Sequence, residues 1–311
     1  MLEIFVGLLV LAVFARGWLV RSTGSARAHA WLTIFVSIVI QAAPFVVLGT
    51  VVSAAIAALV PATFFARALP RRAALAVPVA GVAGVMLPGC ECGSVPICGA
   101  LIRRGVTPAA ALAFLLSAPA INPVVLVATS VAFTGHPVMV LARLLASVLT
   151  ASAMGWLWLR FGRGDWLRVP DRPELEGLGR AAAFAAACRT DMTQAGGFLV
   201  IGAATAATLN VALPASWLHL VAGHPVLSVL AMAVLAVVLS ICSEADAFVA
   251  ASLTQFSLTA RLAFLVVGPM VDAKLIAMQV GAFGRRFATR FAPATFVVAV
   301  LAAVTVGWVL W

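Results

Sequence analysis

The chain closes with a run, Ala292 to Trp311, that contains no ionisable side chain. Its length matches the roughly 20 residues a helix needs to cross the hydrocarbon core of a bilayer. Comparable apolar stretches occupy roughly 2–20, 108–133, 138–159 and 259–283. Of the 311 residues 64% are hydrophobic and only 10% are charged, with a mean hydropathy of +1.15. A soluble domain of this length could not hide so much apolar surface, because a folded surface must still meet water. The chain is therefore expected to be an all-α polytopic membrane protein with the lipid bilayer as its main partner.

Within these runs one unit is used twice. Setting Cys92 on Cys242 brings Ala110-Ala-Leu-Ala-Phe-Leu115 onto Ala260-Arg-Leu-Ala-Phe-Leu265, Pro119 onto Pro269 and Asn122 onto Asp272 without a gap. Further upstream, Gln41-Ala-Ala-Pro-Phe-Val-Val-Leu-Gly49 matches Gln194-Ala-Gly-Gly-Phe-Leu-Val-Ile-Gly202. The repeat predicts a leading transmembrane helix over 1–22, a first repeat over 31–160, a polar cytoplasmic linker over 161–190 and a second repeat over 191–311. The leading run carries Glu3 in place of the basic start of a secretory signal, which favours its retention.

Loop charge bears on orientation. The loop before the first cysteine segment holds Arg67, Arg71 and Arg72, whereas its counterpart around His219–His224 has no Lys or Arg. Conversely the loop near Gly135-His136 is uncharged by Lys or Arg, and its counterpart holds Arg285, Arg286 and Arg290. Opposite patterns in matched loops predict two inverted repeats. Inversion needs an odd number of spans per copy, so each cysteine-bearing segment is expected to be broken or re-entrant. Pro88-Gly89 and Pro96 suit a break. Arg16, Arg21 and Arg27 run against this layout, since it sets them on the outer side.

The net charge of +10 and the pI near 11.3 come from arginines at the ends of apolar runs, such as Arg71-Arg72, Arg103-Arg104 and Arg285-Arg286. That placement marks loops and anionic headgroups and argues against nucleic acid. There is no Gly-x-x-x-x-Gly-Lys-Ser/Thr phosphate loop, and no cofactor is expected. None of the four histidines falls in either cysteine motif, so no metal centre is assigned from the sequence. Five cysteines, three of them within nine residues, do not form an extracellular disulfide pattern.

The candidate site comes from polar residues where lipid normally forbids them. Cys90-Glu-Cys92 places two soft sulfur atoms close enough to chelate one thiophilic centre, although free cysteine is also a common packing residue. Cys242 supplies the second copy. Glu91, Glu244 and Asp246 are carboxylates at membrane depth, where an ionised group costs roughly 2.5–3.5 kcal/mol and is paired, protonated or turned to a water-filled cavity. They are candidates for proton coupling, unless they simply meet water near an interface. Asp272 and Lys274 lie mid-span after Gly268-Pro269. Lys274 has Asp272, Asp246 or Glu244 as candidate partners. Asn122-Pro123 occupies the matched place after Pro119. Paired prolines at mid-span mark discontinuous helices whose freed backbone groups can hold an ion or solute, with a plain kink as the simpler alternative.

Three stretches carry a resemblance to a known family: Pro88-Gly-Cys-Glu-Cys-Gly-Ser-Val-Pro96, Phe114-Leu-Leu-Ser-Ala-Pro-Ala-Ile-Asn-Pro-Val124, and Cys242-Ser-Glu-Ala-Asp-Ala-Phe248 with Phe264-Leu-Val-Val-Gly-Pro-Met-Val-Asp-Ala-Lys274. They resemble the predicted-permease family that includes the ArsP-type organoarsenical exporters. The resemblance implies a multi-pass permease of the bacterial inner membrane. For arsenical-exporting members it also implies efflux of trivalent organoarsenicals with Cys90, Cys92 and Cys242 as contacts. The expected function is export of a small soft or thiol-reactive solute, coupled to protons. The alternatives are a permease for a small anion or sulfur compound without thiol contacts, and an intramembrane thiol oxidoreductase. Assembly as a homo-oligomer is left open by the sequence.

Overall fold

The computed structural model describes residues 26–70, 72–86, 90–170, 177–212 and 224–311. The expected leading helix, the expected break at Pro88-Gly89 and the loop at His219 lie outside the described residues. Among the described residues, every regular element is helical. The first half contains α1 (Ala26–Leu59), α2 (Ala62–Ala68), α3 (Ala73–Ala83, continued by a 3-10 turn over Gly84–Met86), α4 (Glu91–Arg103), α5 (Pro108–Ile121), α6 (Pro123–Ala132) and α7 (Val138–Phe161). The second contains α8 (Arg180–Ala212), α9 (Pro225–Leu239), α10 (Asp246–Ser252), α11 (Leu258–Met270), α12 (Ala273–Phe283) and α13 (Arg285–Leu310). The segment expected as a linker thus already contributes the first turns of α8.

Among the described residues, six stretches are long and apolar enough to cross a membrane: Arg27–Leu59, Pro108–Ala132, Val138–Phe161, Arg180–Ala212, Leu258–Phe283 and Arg285–Leu310. Two of them are composite. Pro108–Ala132 is α5 and α6 with a break at Asn122, and Leu258–Phe283 is α11 and α12 with a break at Asp272. These two form the centre of the bundle, with 78% and 83% of their most apolar windows buried against 28–56% for the others. The outer helices turn apolar stripes outward, as lipid requires. On α13, Val297, Leu301, Val304 and Trp308 are exposed while Phe287, Phe291, Thr295, Ala299 and Ala303 are buried.

The duplication in the sequence carries into the packing. The pair α3–α5 has its counterpart in α9–α11, α5–α7 in α11–α13, and α4–α12 in α6–α10. The halves meet directly where α1 packs on α8, α5 on α11 and α7 on α13. Small residues allow these approaches, since helices in lipid gain little from burying apolar bulk and associate by close contact. A Cβ at Gly49 would lie 2.4 Å from the Cα of Gly93, and one at the matched Gly202 would lie 2.7 Å from the Cα of Lys274. Both glycines bring a long outer helix onto an element that carries the candidate site.

The start of the first cysteine segment and the helix that follows it meet the same part of α7, where a Cβ at Gly155 would lie 2.5 Å from the Val77 side chain and 3.1 Å from the Ala109 carbonyl oxygen. At the start of the segment, the Trp156 indole on the last turns of α7 donates to the Ala74 carbonyl at 2.9 Å. At its end, the Arg104 guanidinium donates to the Ala57 carbonyl on the last turn of α1. Neither α3 with 11 residues nor α4 with 13 could cross a core of about 30 Å at 1.5 Å per residue. The post-α7 chain docks at this end too: the Arg168 amide donates to the Phe283 carbonyl at 3.1 Å, and Arg290 lies over the Trp166 ring at 4.4 Å.

Candidate functional site

The two helix breaks are built alike. Pro119 and Pro269 lie in the last turns of α5 and α11, and neither contributes an amide hydrogen to its ladder. Beyond each break a buried polar side chain starts the next helix. Asn122 accepts from the Val125 amide at 2.9 Å, and Asp272 accepts from the Leu275 amide at 2.6 Å. The first amides of a helix have no partner within it, and at this depth no bulk water replaces one, so these caps satisfy what the breaks expose. A third element is tied to the second break, because the Ala273 amide donates to Ser240 Oγ at 3.2 Å. Ser240 ends α9 in the left-handed conformation (φ 48°), turning the chain toward Cys242.

The cysteine segments then converge. Cys90 is the extended N-cap of α4 and Glu91 its first residue, while Cys242 lies in the turn between α9 and α10. Ligand atoms of Cys90, Glu91 and Cys242 all lie within 4.8 Å of one another, and all three residues are buried. The Cys90 thiol also faces that of Cys92, so three thiols form one cluster. Setting the repeats on one another pairs Cys92 with Cys242; in space it is Cys90 that is shown with Cys242 and Glu91 in the tightest group. Cys98 is buried further along α4 and Cys188 is half-buried on α8. No disulfide joins the five cysteines.

Charged groups surround the thiols. Lys274 Nζ donates to Glu91 Oε1 at 2.7 Å and lies 3.4 Å from Asp272 Oδ2. The Cys242 thiol donates to Glu244 Oε2 at 2.7 Å. Glu91 Oε2, Glu244 Oε1 and Asp272 Oδ2 are buried without a hydrogen-bond partner. Of the carboxylate partners open to Lys274 from the sequence, Asp272 is therefore near, and Glu91, which was not among them, is the closest.

A second ion pair joins the halves. Arg143 of α7 donates to both carboxylate oxygens of Asp246 on α10, at 2.9 and 2.8 Å, and to Thr129 Oγ1 on α6 at 2.9 Å. Both charged side chains are buried. Sequence reasoning did not pair them. The available signal was a cation inside the apolar run of α7, where a buried charge needs a carboxylate.

Further along α4 from the cluster lies a cavity of about 180 Å³. It is lined by Val95, Pro96 and Arg103 of α4, by Asp191 and Gln194 of α8 and by Met278 of α12, among others. Cys92 precedes Val95 and Pro96 by three and four residues, which sets it on the same stripe of α4. Asp191 was not singled out in the sequence; it accepts from Ser53 Oγ at 2.5 Å.

Over residues 27–308 the chain matches the family described as a predicted permease, of ArsP type. It is 37% identical over 281 residues to the UPF0718 protein YcgR of Bacillus subtilis (strain 168), covering 87% of this chain and 94% of that protein. It is 31% identical over 284 residues to a putative two-component membrane permease complex subunit of Streptococcus mutans, covering 89% of this chain and 94% of the relative. No solved structure gives a significant match.

Proposed function

We propose that this chain, which belongs to the predicted-permease family, exports a small thiol-binding solute through a central site formed by Cys90, Cys92 and Cys242. The observation that carries the reading is the meeting of soft donors from both halves, with Cys90, Glu91 and Cys242 ligand atoms within 4.8 Å in a buried setting. Thiol sulfur binds soft centres such as trivalent arsenicals in preference to hard ions or neutral apolar solutes. An anion is disfavoured, because Glu91, Glu244 and Asp272 surround a single ammonium, Lys274.

Alternating access in this reading uses two inverted repeats that meet at the broken helices. Support comes from opposite attachment of the cysteine segments. Thr259, on the first turn of α11, packs against Gly307 near the end of α13, while Trp158 near the end of α7 packs on Phe287 and Phe291 at the start of α13. The first turns of α11 therefore lie far from the end of α7, whereas α5 begins just after Arg104, on the side where Trp156 holds Ala74. The cavity along α4, lined by Val95, Pro96 and Arg103, lies toward that same end, the side of the basic loops, and supports loading from the cytoplasm.

Proton coupling in this proposal falls to Glu91, Asp272 and Lys274, whose short contacts form a buried charge group at the thiol cluster. Inverted vesicles bearing the protein, energised by a proton gradient, are expected to accumulate trivalent methylarsenical, and Cys90→Ser, Cys92→Ser and Cys242→Ser vesicles with equal protein levels are expected not to. Undiminished accumulation in all three variants overturns the thiol site.

A further inference from the structure

We infer that the central site accepts a borderline divalent cation of the zinc class as cargo, with Cys90, Glu91 and Cys242 as its ligands. The inference rests on the thiol-site reading above and narrows its substrate. It starts from the donor set. Three thiols alone suit copper(I) or a trivalent arsenical, whereas a carboxylate among thiolates suits zinc or cadmium. Here Glu91 stands with the two sulfurs, within 4.8 Å. In a tetrahedral zinc site, metal–sulfur bonds of about 2.3 Å and metal–oxygen bonds of about 2.0–2.2 Å put neighbouring donors about 3.5–3.8 Å apart, so a small contraction closes the site.

The second observation is a free acceptor on one of those three residues. Glu91 is fully buried, Lys274 engages its Oε1, and its Oε2 has no hydrogen-bond partner. A buried carboxylate oxygen without a donor is costly unless something positive reaches it. Glu244 Oε1 is likewise without a partner, and its other oxygen accepts from the Cys242 thiol, which brings a fourth donor to the same sulfur. Charge agrees with geometry. Three carboxylates, Glu91, Glu244 and Asp272, face one ammonium, so the group accepts further positive charge.

Lys274 gives the ion a way in. Its ammonium lies 2.7 Å from Glu91 and 3.4 Å from Asp272 Oδ2, which itself lacks a hydrogen bond. When a cation takes Glu91, the ammonium moves to Asp272 without losing a carboxylate partner. Coordination replaces the S–H bonds of Cys90 and Cys242 with sulfur–metal bonds, and the two protons pass to water.

The test uses the full chain in lipid nanodiscs with Cd²⁺ and Zn²⁺ as probes. The wild type is expected to bind one Cd²⁺ per chain with a thiolate-to-cadmium charge-transfer absorption, which Zn²⁺ displaces. Even loss of a group that only supports a ligand weakens metal sites about 10–100-fold, so Glu91→Gln is expected to lose at least that much affinity. Glu91→Gln/Lys274→Met, which also removes the ammonium that Glu91 pairs with, is expected to show the same loss. Unchanged cadmium affinity in both variants, or a wild type without the absorption band, overturns the cation site. Trivalent methylarsenical binding in the same samples separates the two readings. If it is retained in the wild type and lost in Cys90→Ser while cadmium fails, the thiol site stands and the cation does not. If neither probe binds the wild type, both fall.

Discussion

At Arg143 and Asp246, two ionised side chains are held out of water and lipid by each other. Their two hydrogen bonds, with Thr129 as a third partner, fasten α7 and α6 of the first half to α10 of the second. Breaking such a pair strands a buried charge at a cost of about 3–5 kcal/mol, whereas replacing both partners with apolar groups is often neutral. Asp246→Asn and Arg143→Leu are therefore each expected to lower the thermal stability of the detergent-purified protein strongly, and Arg143→Met/Asp246→Leu to recover most of it. Melting followed by fluorescence-detected size exclusion reads this directly; single variants that melt like the wild type would exclude a tethering role. The sequence placed Asp246 at membrane depth but did not pair it with Arg143. Glu91, Glu244, Asp246 and Asp272 against Arg143 and Lys274 admit several pairings. Which one forms depends on how α7, α10, α4 and α12 rotate against each other, a tertiary fact with no local signature.

The broken helices belong to the next scale, since each is one spanning element made of two pieces. Asn122 and Asp272 serve as caps of α6 and α12, and a capping side chain contributes about 1 kcal/mol. Asn122→Ala is expected to cost about 1 kcal/mol in stability with the thiol cluster intact. Asp272→Asn should keep the cap and the fold, because asparagine accepts equally well, but it removes the second carboxylate of Lys274. Its expected signature is near-normal melting with impaired transport; normal transport would show that Lys274 needs only Glu91. These breaks were legible because proline followed by a polar residue recurs at matched positions. The cysteine segments were less so. Alignment sets Cys92 on Cys242, yet Cys92 lies inside the first turn of α4 whereas Cys242 lies four residues before α10 begins. The two segments start their helices at different registers, so residues matched in sequence do not occupy matched places, and Cys90 becomes the neighbour of Cys242.

Across the whole molecule, the proposed inversion makes a claim that matched loops can test. In that proposal, three described crossings per half, α1, α5/α6 and α7 against α8, α11/α12 and α13, would set corresponding loops on opposite sides of the membrane, since an odd number reverses the second copy. The turn after α6 at Gly135 corresponds to the junction of α12 and α13, where Arg286 lies in the first turn of α13, and both positions tolerate a reporter: a Cβ at Gly135 meets no atom within 4 Å, and Arg286 is exposed. Gln255, exposed before α11, and Gly164, open after α7, extend the comparison. In a Cys188→Ser background the remaining native thiols are buried, so an impermeant maleimide reports the introduced cysteine. Intact cells are expected to label Gly135→Cys and Gln255→Cys, while Gly164→Cys and Arg286→Cys label only after permeabilisation. Labelling of Gly135→Cys and Arg286→Cys from the same side would make the repeats parallel. The cysteine segments would then enter from one face, and a site reached alternately from both sides through thiols of both halves would have no symmetric route.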